Sequence, residues 1–478
     1  MRAGATSRDA PGPRGSRATV AAMKRDHALA AALHDILGRH REWESGWPAF
    51  TADASVRVDP EETAAVLRTV SERLRENYPH FHPLYAGQML KPPHPVAIAA
   101  QLAAMLVNPN NHALDGGRAT AAMEKECITA LAGMFGYDDE RYLGHLTASG
   151  TIANLEALFV AREEHPDLPI VCSKDAHYTH KRMSGLLRAE CLELPSTPTG
   201  TIDLGALDAL LAERRIGTLV VTLGTTGLGA LDPLDEILAR RDRHRFRVHL
   251  DMAYGGYFRL LAGTEPALAP LLRTGEADSI VVDPHKHGLQ PYGSGCVLFR
   301  DGAVSRHYAH ASPYTYFSSP EHHPGETTLE CSRAGAAAAG LWATLQVFPL
   351  RPEGRMAQLL SQCMNSAREF AAKIEATGRF AMHVAPTLDI VTYYPKRSSL
   401  GAISAASAAL FARAESASEP LYLAKLVVDA ERFAALHPEV TVDAPSVTIL
   451  RSVLMKPEQR AAVDEIVRRL QLHLVDEP

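Results

Sequence analysis

"RVHLDMAYGGYFRLLAGTEPALAPLLRTGEADSIVVDPHK", residues 247–286, holds two short apolar runs that stop at Asp251 and Asp283, with a spacer of helix length between them. Runs of four to six aliphatic residues separated by enough chain for one crossover helix are the mark of neighbouring parallel strands. The same texture recurs in "IVCSKD" (170–175), "TLVVTLG" (218–224) and "GCVLFRD" (295–301). The expected fold is α/β: a large domain with a mainly parallel sheet and helices on both faces. Ligands of such sheets bind beyond the carboxyl ends of the strands. Asp251 and Lys286 both stand there.

Outward from this stretch the texture changes twice. Residues 27–48 and 60–76 read as helices, the second with Pro60 and acidic residues in its first turn and a Val66, Val70, Leu74 stripe. "HFHPLYAGQMLKPPHP" (80–95) then breaks the periodicity. After the small-residue helix "GAAAAGLWATLQVF" (335–348), three strand-like stretches follow at 380–395, 421–429 and 440–455, and an amphipathic helix closes the chain at 457–474. This divides the chain into a disordered tail (1–25), an N-terminal helical segment (26–109), a large domain (110–350) and a small α+β C-terminal domain (351–478).

Composition narrows the function. The chain has 478 residues, 46 % hydrophobic and 22 % charged, with a net charge of −6. This is ordinary globular composition, and it offers neither nucleic acid nor an anionic membrane an electrostatic attraction. A small-molecule ligand is expected. Six scattered cysteines without a C-x-x-C pair point to a reduced, cytoplasmic protein, and no apolar run is long enough to span a membrane. The Arg-, Gly- and Pro-rich start has no apolar signal core.

Four pieces suggest one chemistry. A lysine at the mouth of a buried strand loses hydration, which disfavours its charged form, and a neutral amine is a nucleophile able to form a Schiff base. Lys286 is therefore either a cofactor lysine or the ion-pair partner of Asp283. Asp251 ends the preceding strand, where a carboxylate could keep a pyridine nitrogen protonated or simply cap a helix. "TASGT" (147–151) opens a helix, so Ser149, Gly150 and Thr151 offer hydroxyl and N–H donors to a phosphate. His177 follows a strand and either stacks on a ring or lies in a surface loop.

Together these motifs resemble the group II pyridoxal-phosphate-dependent amino acid decarboxylases, relatives of glutamate, aromatic amino acid and diaminobutyrate decarboxylases. The likeness runs from about residue 78 to the C-terminus and is most specific at "DPHKHG" (283–288). It implies fold type I architecture, pyridoxal 5'-phosphate as cofactor, and an L-amino acid as substrate. Residue by residue, it implies that Lys286 binds the cofactor and Asp251 pairs with its ring nitrogen. Ala253 would lie against the ring, and His177 over the other face. Ser149, Gly150, Thr151, Ser279 and His285 would hold the phosphate, with Thr225 near the ring hydroxyl. Arg451 would meet the substrate carboxylate. The family builds shared sites in homodimers, so segment 26–109 would serve dimerisation and Tyr85 and Gln88 would line the partner's pocket.

The chain departs from the family in "HASPYTYFSSPEHHPGETTLECSRAG" (310–335). There a mobile loop carries the tyrosine that returns a proton; here His322 and His323 fall near that place, and Tyr314 and Tyr316 come earlier. Tyr316 and His323 are the candidate acids. The alternatives to simple decarboxylation are an oxygen-using aldehyde synthase, another lyase of the same cofactor class, or a non-catalytic homologue with a binding role. A nicotinamide dehydrogenase would want a G-x-G-x-x-G turn, and none is present. His287 is read as a core histidine bonded to backbone. The histidines lack metal-ligand spacing, so no metal is expected.

Overall fold

The computed structural model describes residues 17–137, 141–308 and 324–475. Its large domain is built on a seven-stranded sheet of β1 (Leu143–Thr147), β2 (Ile170–Ser173), β3 (Cys191–Leu194), β4 (Thr218–Thr222), β5 (Arg247–Asp251), β6 (Ser279–Val282) and β7 (Gly295–Phe299). The strand order is β1-β7-β6-β5-β4-β2-β3. All neighbours are parallel except β7, which runs antiparallel to both β1 and β6. Because β1 and β6 both oppose β7, they point the same way, and the carboxyl ends of β1, β2, β4, β5 and β6 share one edge.

The side-chain period of two sorts each strand between two cores. In β6, Ile280 and Val282 enter the largest apolar cluster, while Val281 enters another beneath the opposite face. The strands are buried on both sides, which is why they read as continuous apolar runs. The helices of this part are α1 (Arg17–Ser45), α2 (Pro60–Leu74), α3 (Pro95–Val107), α4 (Leu114–Phe135), α5 (Gly150–Glu164), α6 (Thr179–Leu186), α7 (Leu204–Glu213), α8 (Leu234–His244) and α9 (Gly335–Val347); α1 packs on α3, and α2 buries none of its residues within the chain. α1 starts at Arg17, within the stretch read as tail.

Other details also differ from the sequence reading. The crossover from β5 to β6 is made of two 3₁₀ segments, Gly256–Leu261 and Pro266–Glu276, rather than an α-helix. Pro266 and Pro270 lack the N–H that a continuous α-helix needs, so the chain winds in short pieces. β1 and β3 also escaped notice, since His145 and Glu193 interrupt their apolar runs.

The C-terminal region carries α10 (Arg355–Ala376), α11 (Leu400–Ser416), α12 (Ala430–Leu436) and α13 (Val463–His473) over a second sheet. That sheet has four antiparallel strands, β8 (Phe380–Val384), β9 (Ile390–Pro395), β10 (Ala424–Asp429) and β11 (Ser446–Val453), in the order β10-β11-β9-β8. The stretch 380–395, read as one strand, is two: "APTLD" turns the chain between β8 and β9. No described helix is long and apolar enough to cross a membrane.

Candidate active site

Beyond the shared strand edge lies a cavity of about 260 Å³. Its walls carry Ser149, Gly150 and Thr151 from the start of α5, His177 from the loop after β2, Asp251 and Ala253 from the end of β5, and His285 and Lys286 after β6. The sequence read each of these residues as part of one site. Folding brings them together because every one follows the carboxyl end of a strand.

Asp251 is buried, and its two oxygens are committed separately. Oδ2 accepts from His180 Nε2 at 2.8 Å, and Oδ1 accepts the Ala253 N–H at 3.1 Å. Burial alone pushes its pKa up, but the His180 hydrogen bond and the charges of His180 and Lys286 outweigh burial and hold the carboxyl well below its ordinary range. The group is an anion facing the cavity. His180, fully buried in the first turn of α6, is a site residue that no strand-end pattern marks; the one signal for it is its place three residues after His177, one helical turn further in.

Lys286 keeps 22 % of its side chain exposed and lies 3.1 Å from Asp283 Oδ2. The two readings of this lysine therefore meet: it is paired with Asp283, and its amine faces the cavity. His285 donates from Nδ1 to the Ser294 carbonyl at 2.7 Å, which fixes its ring with Nε2 toward Asp283, 3.5 Å away. Burial lowers the pKa of both His285 and His177.

The start of α5 is shaped for close approach. Ser149 caps the helix through its hydroxyl. A Cβ on Gly150 would lie 2.6 Å from both carboxylate oxygens of Asp283, so only glycine fits between the helix and the lysine loop. The N–H groups of Gly150 and Thr151 begin the first turn, where no residue four positions earlier can accept from them. Glu330, from the segment that leads into α9, accepts the Ala148 N–H at 3.0 Å and steadies the turn.

Some expected residues lie elsewhere. Thr225 is buried with its hydroxyl accepting the Ala230 N–H at 3.0 Å, and Thr226 and Thr222 line the cavity instead. Ser279 begins β6 rather than ending it; four residues of extended chain are about 13 Å, which takes it away from the phosphate edge. Its hydroxyl meets His249 Nδ1 at 2.9 Å. Arg451, Tyr85 and Gln88 do come together: Arg451 Nη1 donates to Gln88 Oε1 at 3.1 Å, and the Gln88 N–H reaches the Tyr85 hydroxyl at 3.3 Å. They sit behind Tyr254, which lines the cavity and feels the charge of Arg451. Tyr314, Tyr316, His322 and His323 lie outside the described residues. His287 is a core residue, yet its Nε2 bonds the Asp389 carboxylate at 2.8 Å, a partner that no local pattern announces.

His249 closes a buried chain beneath the site, donating from Nε2 to Asn154 Oδ1 at 2.9 Å and accepting at Nδ1 from Ser279. Burial, reinforced by the charge of His180, drives its pKa down to about 3. Unfolding restores a value near 6.5, so between these limits the unfolded chain binds the extra proton and stability falls as pH falls. His249→Gln removes that uptake. Unfolding free energies measured from pH 6.5 down to 4.5 are expected to fall less steeply in the variant, by up to about 1.4 kcal/mol per pH unit. Equal slopes would show that His249 is not held neutral.

A lysine amine, a buried anionic carboxylate and an open helix start around one cavity suit the aldehyde, ring nitrogen and phosphate of pyridoxal phosphate. The Thr222 hydroxyl and Asp283 Oδ1, both in residues of its wall, are buried polar atoms without a protein partner, as a polar ligand requires. Among the described residues no group of His, Cys, Asp and Glu is placed to hold a metal ion.

The chain is similar to known pyridoxal-dependent enzymes. A family model described as the pyridoxal-dependent decarboxylase conserved domain matches residues 49–396. An L-tyrosine decarboxylase of Enterococcus faecium is 26 % identical over 454 residues, covering 72 % of this chain and 74 % of that protein. An L-aspartate decarboxylase of Thermococcus kodakarensis is 26 % identical over 335 residues, covering 69 % and 83 %. Among solved structures, mouse CSAD in apo form superposes with a TM-score of 0.74 at 20 % identity, covering 94 % of this chain and 99 % of that one. Oryza sativa TDC with PLP and tryptamine gives 0.74 at 16 %, covering 93 % and 97 %. The fold is fold type I.

Proposed function

Since the chain belongs to the pyridoxal-dependent decarboxylase family, we propose that it releases the α-carboxyl group of an L-amino acid as carbon dioxide in the cavity at the carboxyl edge of the large sheet. The reaction class, pyridoxal-phosphate-dependent amino acid decarboxylation, is that of the family and of the relatives described above. The observation that carries the assignment of the site is a lysine amine and a carboxylate, kept ionised by a histidine, on the walls of one cavity.

Lys286 would hold the cofactor through its amine, Ser149, Gly150 and Thr151 its phosphate, and Asp251 its ring nitrogen, with His177 and Ala253 in the walls beside the ring. When bound, the cofactor supplies an electron sink for the pair left on the α-carbon as carbon dioxide departs. Asp251 acts by charge: an anion beside the ring nitrogen holds a proton there, and His180 keeps that anion from being neutralised. Tyr316 or His323 would return a proton to the α-carbon.

Arg451 would receive a substrate carboxylate. It is 4 % exposed, and its Nε and Nη2 are buried without a partner. Buried N–H groups of a cation are costly unless satisfied, and a carboxylate satisfies two at once. Arg451→Gln is expected to raise KM about 10- to 100-fold, the equivalent of about 1.5–3 kcal/mol for a charged hydrogen bond, while cofactor absorbance is unchanged. An unchanged KM would place the carboxylate elsewhere.

We read the working unit as a homodimer. The Val66, Val70, Leu74 stripe of α2 lies exposed within one chain, and a second copy would cover it. The cysteines described are all free, in keeping with a cytoplasmic location.

The test is the visible spectrum of the purified protein with added pyridoxal phosphate, followed by L-amino acids in turn, tyrosine and aspartate first, while carbon dioxide, amine and peroxide are recorded. A cofactor band with carbon dioxide and amine from one substrate supports the reading. Aldehyde and peroxide would assign the oxidative outcome, and no band would remove the site.

A further inference from the structure

Asp389 stands one residue ahead of β9 in the C-terminal region and is fully buried, as is His287. Its carboxylate accepts two hydrogen bonds, both from the large domain: Tyr254 OH reaches Oδ1 at 2.6 Å and His287 Nε2 reaches Oδ2 at 2.8 Å. The His287 ring is gripped edge-on by Tyr254 and Phe258, with centroids 4.6 and 4.9 Å away. Both donors belong to cavity segments. Tyr254 lines the cavity three residues after Asp251, and His287 follows Lys286. On the other side, the Asp389 carbonyl accepts the Leu454 N–H at 2.8 Å, three residues beyond Arg451.

A buried carboxylate is retained in a core only where its charge is met, and here the acid opposes burial through His287, Tyr254 and the nearby Lys91 amine. We propose that Asp389 is a positioning residue: through His287 and Tyr254 it locks the lysine loop and the cavity wall to the strand that carries Arg451, so that Lys286 and Arg451 meet one substrate in fixed register. The idea rests on the reading of Lys286 and Arg451 given above. Nothing in the local sequence requires it, because 102 residues separate His287 from Asp389.

The test compares His287→Phe with His287→Gln. Phenylalanine keeps the ring packing and removes the donor; glutamine keeps a donor of similar reach. Each is made in the full chain with cofactor bound, beside the parent. His287→Phe is expected to lower kcat about 10- to 100-fold, the scale for a misplacement of about 1 Å, with cofactor still reducible onto Lys286, and His287→Gln is expected to recover most of the loss. Hydrogen exchange provides a readout independent of turnover: in His287→Phe the amides around Lys286 and those around Leu454 are expected to exchange faster together. If kcat stays within twofold, if His287→Gln is no better than His287→Phe, or if exchange rises only beside residue 287, the link is packing alone and the proposal falls. Loss of the cofactor band or of carbon dioxide release in the parent would instead sink the reading of the site, while the exchange measurement would still decide the link. Asp389→Asn, if it folds, is expected to match His287→Phe, and normal kcat in that variant would also overturn the role.

Discussion

Lys286→Ala is expected to leave no cofactor reducible by borohydride on the protein and to lower carbon dioxide release by at least about 10³-fold, within the range that removal of a group central to proton transfer and covalent catalysis produces. Lys286 is the one primary amine among the described residues lining the cavity. Two other lysines are occupied elsewhere: Lys456 donates to the Tyr85 carbonyl at 2.7 Å, and Lys91 points to the Met455 carbonyl at 3.5 Å. The measurement is peptide mapping after reduction, together with turnover. An adduct retained on another residue would overturn the assignment of Lys286. The substitution also leaves Asp283 without its ion-pair partner, so a small drop in unfolding temperature accompanies the loss without explaining it.

Asp251→Asn is expected to separate binding from turnover. Asparagine keeps the shape of the side chain and can still accept the Ala253 N–H, so the wall of the cavity survives. What disappears is the charge. His180 then faces a neutral amide in a buried site, and no anion holds a proton at the ring nitrogen of the cofactor. Turnover is expected to fall about 10²- to 10⁴-fold, as when a group controlling protonation is lost, while the cofactor band remains after reconstitution. Near-normal turnover with full cofactor content would remove the electrostatic role of Asp251.

The parts of the site that were legible in the sequence share a physical origin. Asp251, Lys286 and His177 follow short apolar runs, and Ser149, Gly150 and Thr151 open a periodic helix. Strand ends and helix starts are local features, written in runs of a few residues. The parts that were illegible depend on where the strands lie side by side. Thr225 and Thr226 are neighbours in the chain, yet the turn after β4 aims one at Ala230 and gives the other to the cavity. The family resemblance implies a phosphate role for Ser279, but this residue enters the sheet at the far end of β6. The hairpin of β8 and β9 was hidden because two strands with a short turn have the apolar content of one longer strand.

A mainly parallel α/β domain with a lysine, an acid and a hydroxyl-rich helix start at its strand ends is legible in short runs of residues, because backbone geometry and side-chain periodicity act over short distances. It took the packed chain to show that His180 holds Asp251 ionised and that Asp389 reaches across from the C-terminal region to His287 and Tyr254. The reason is that a buried charge is tolerated only beside a partner, and that partner is chosen by packing between segments up to 135 residues apart, a distance over which no local pattern carries information.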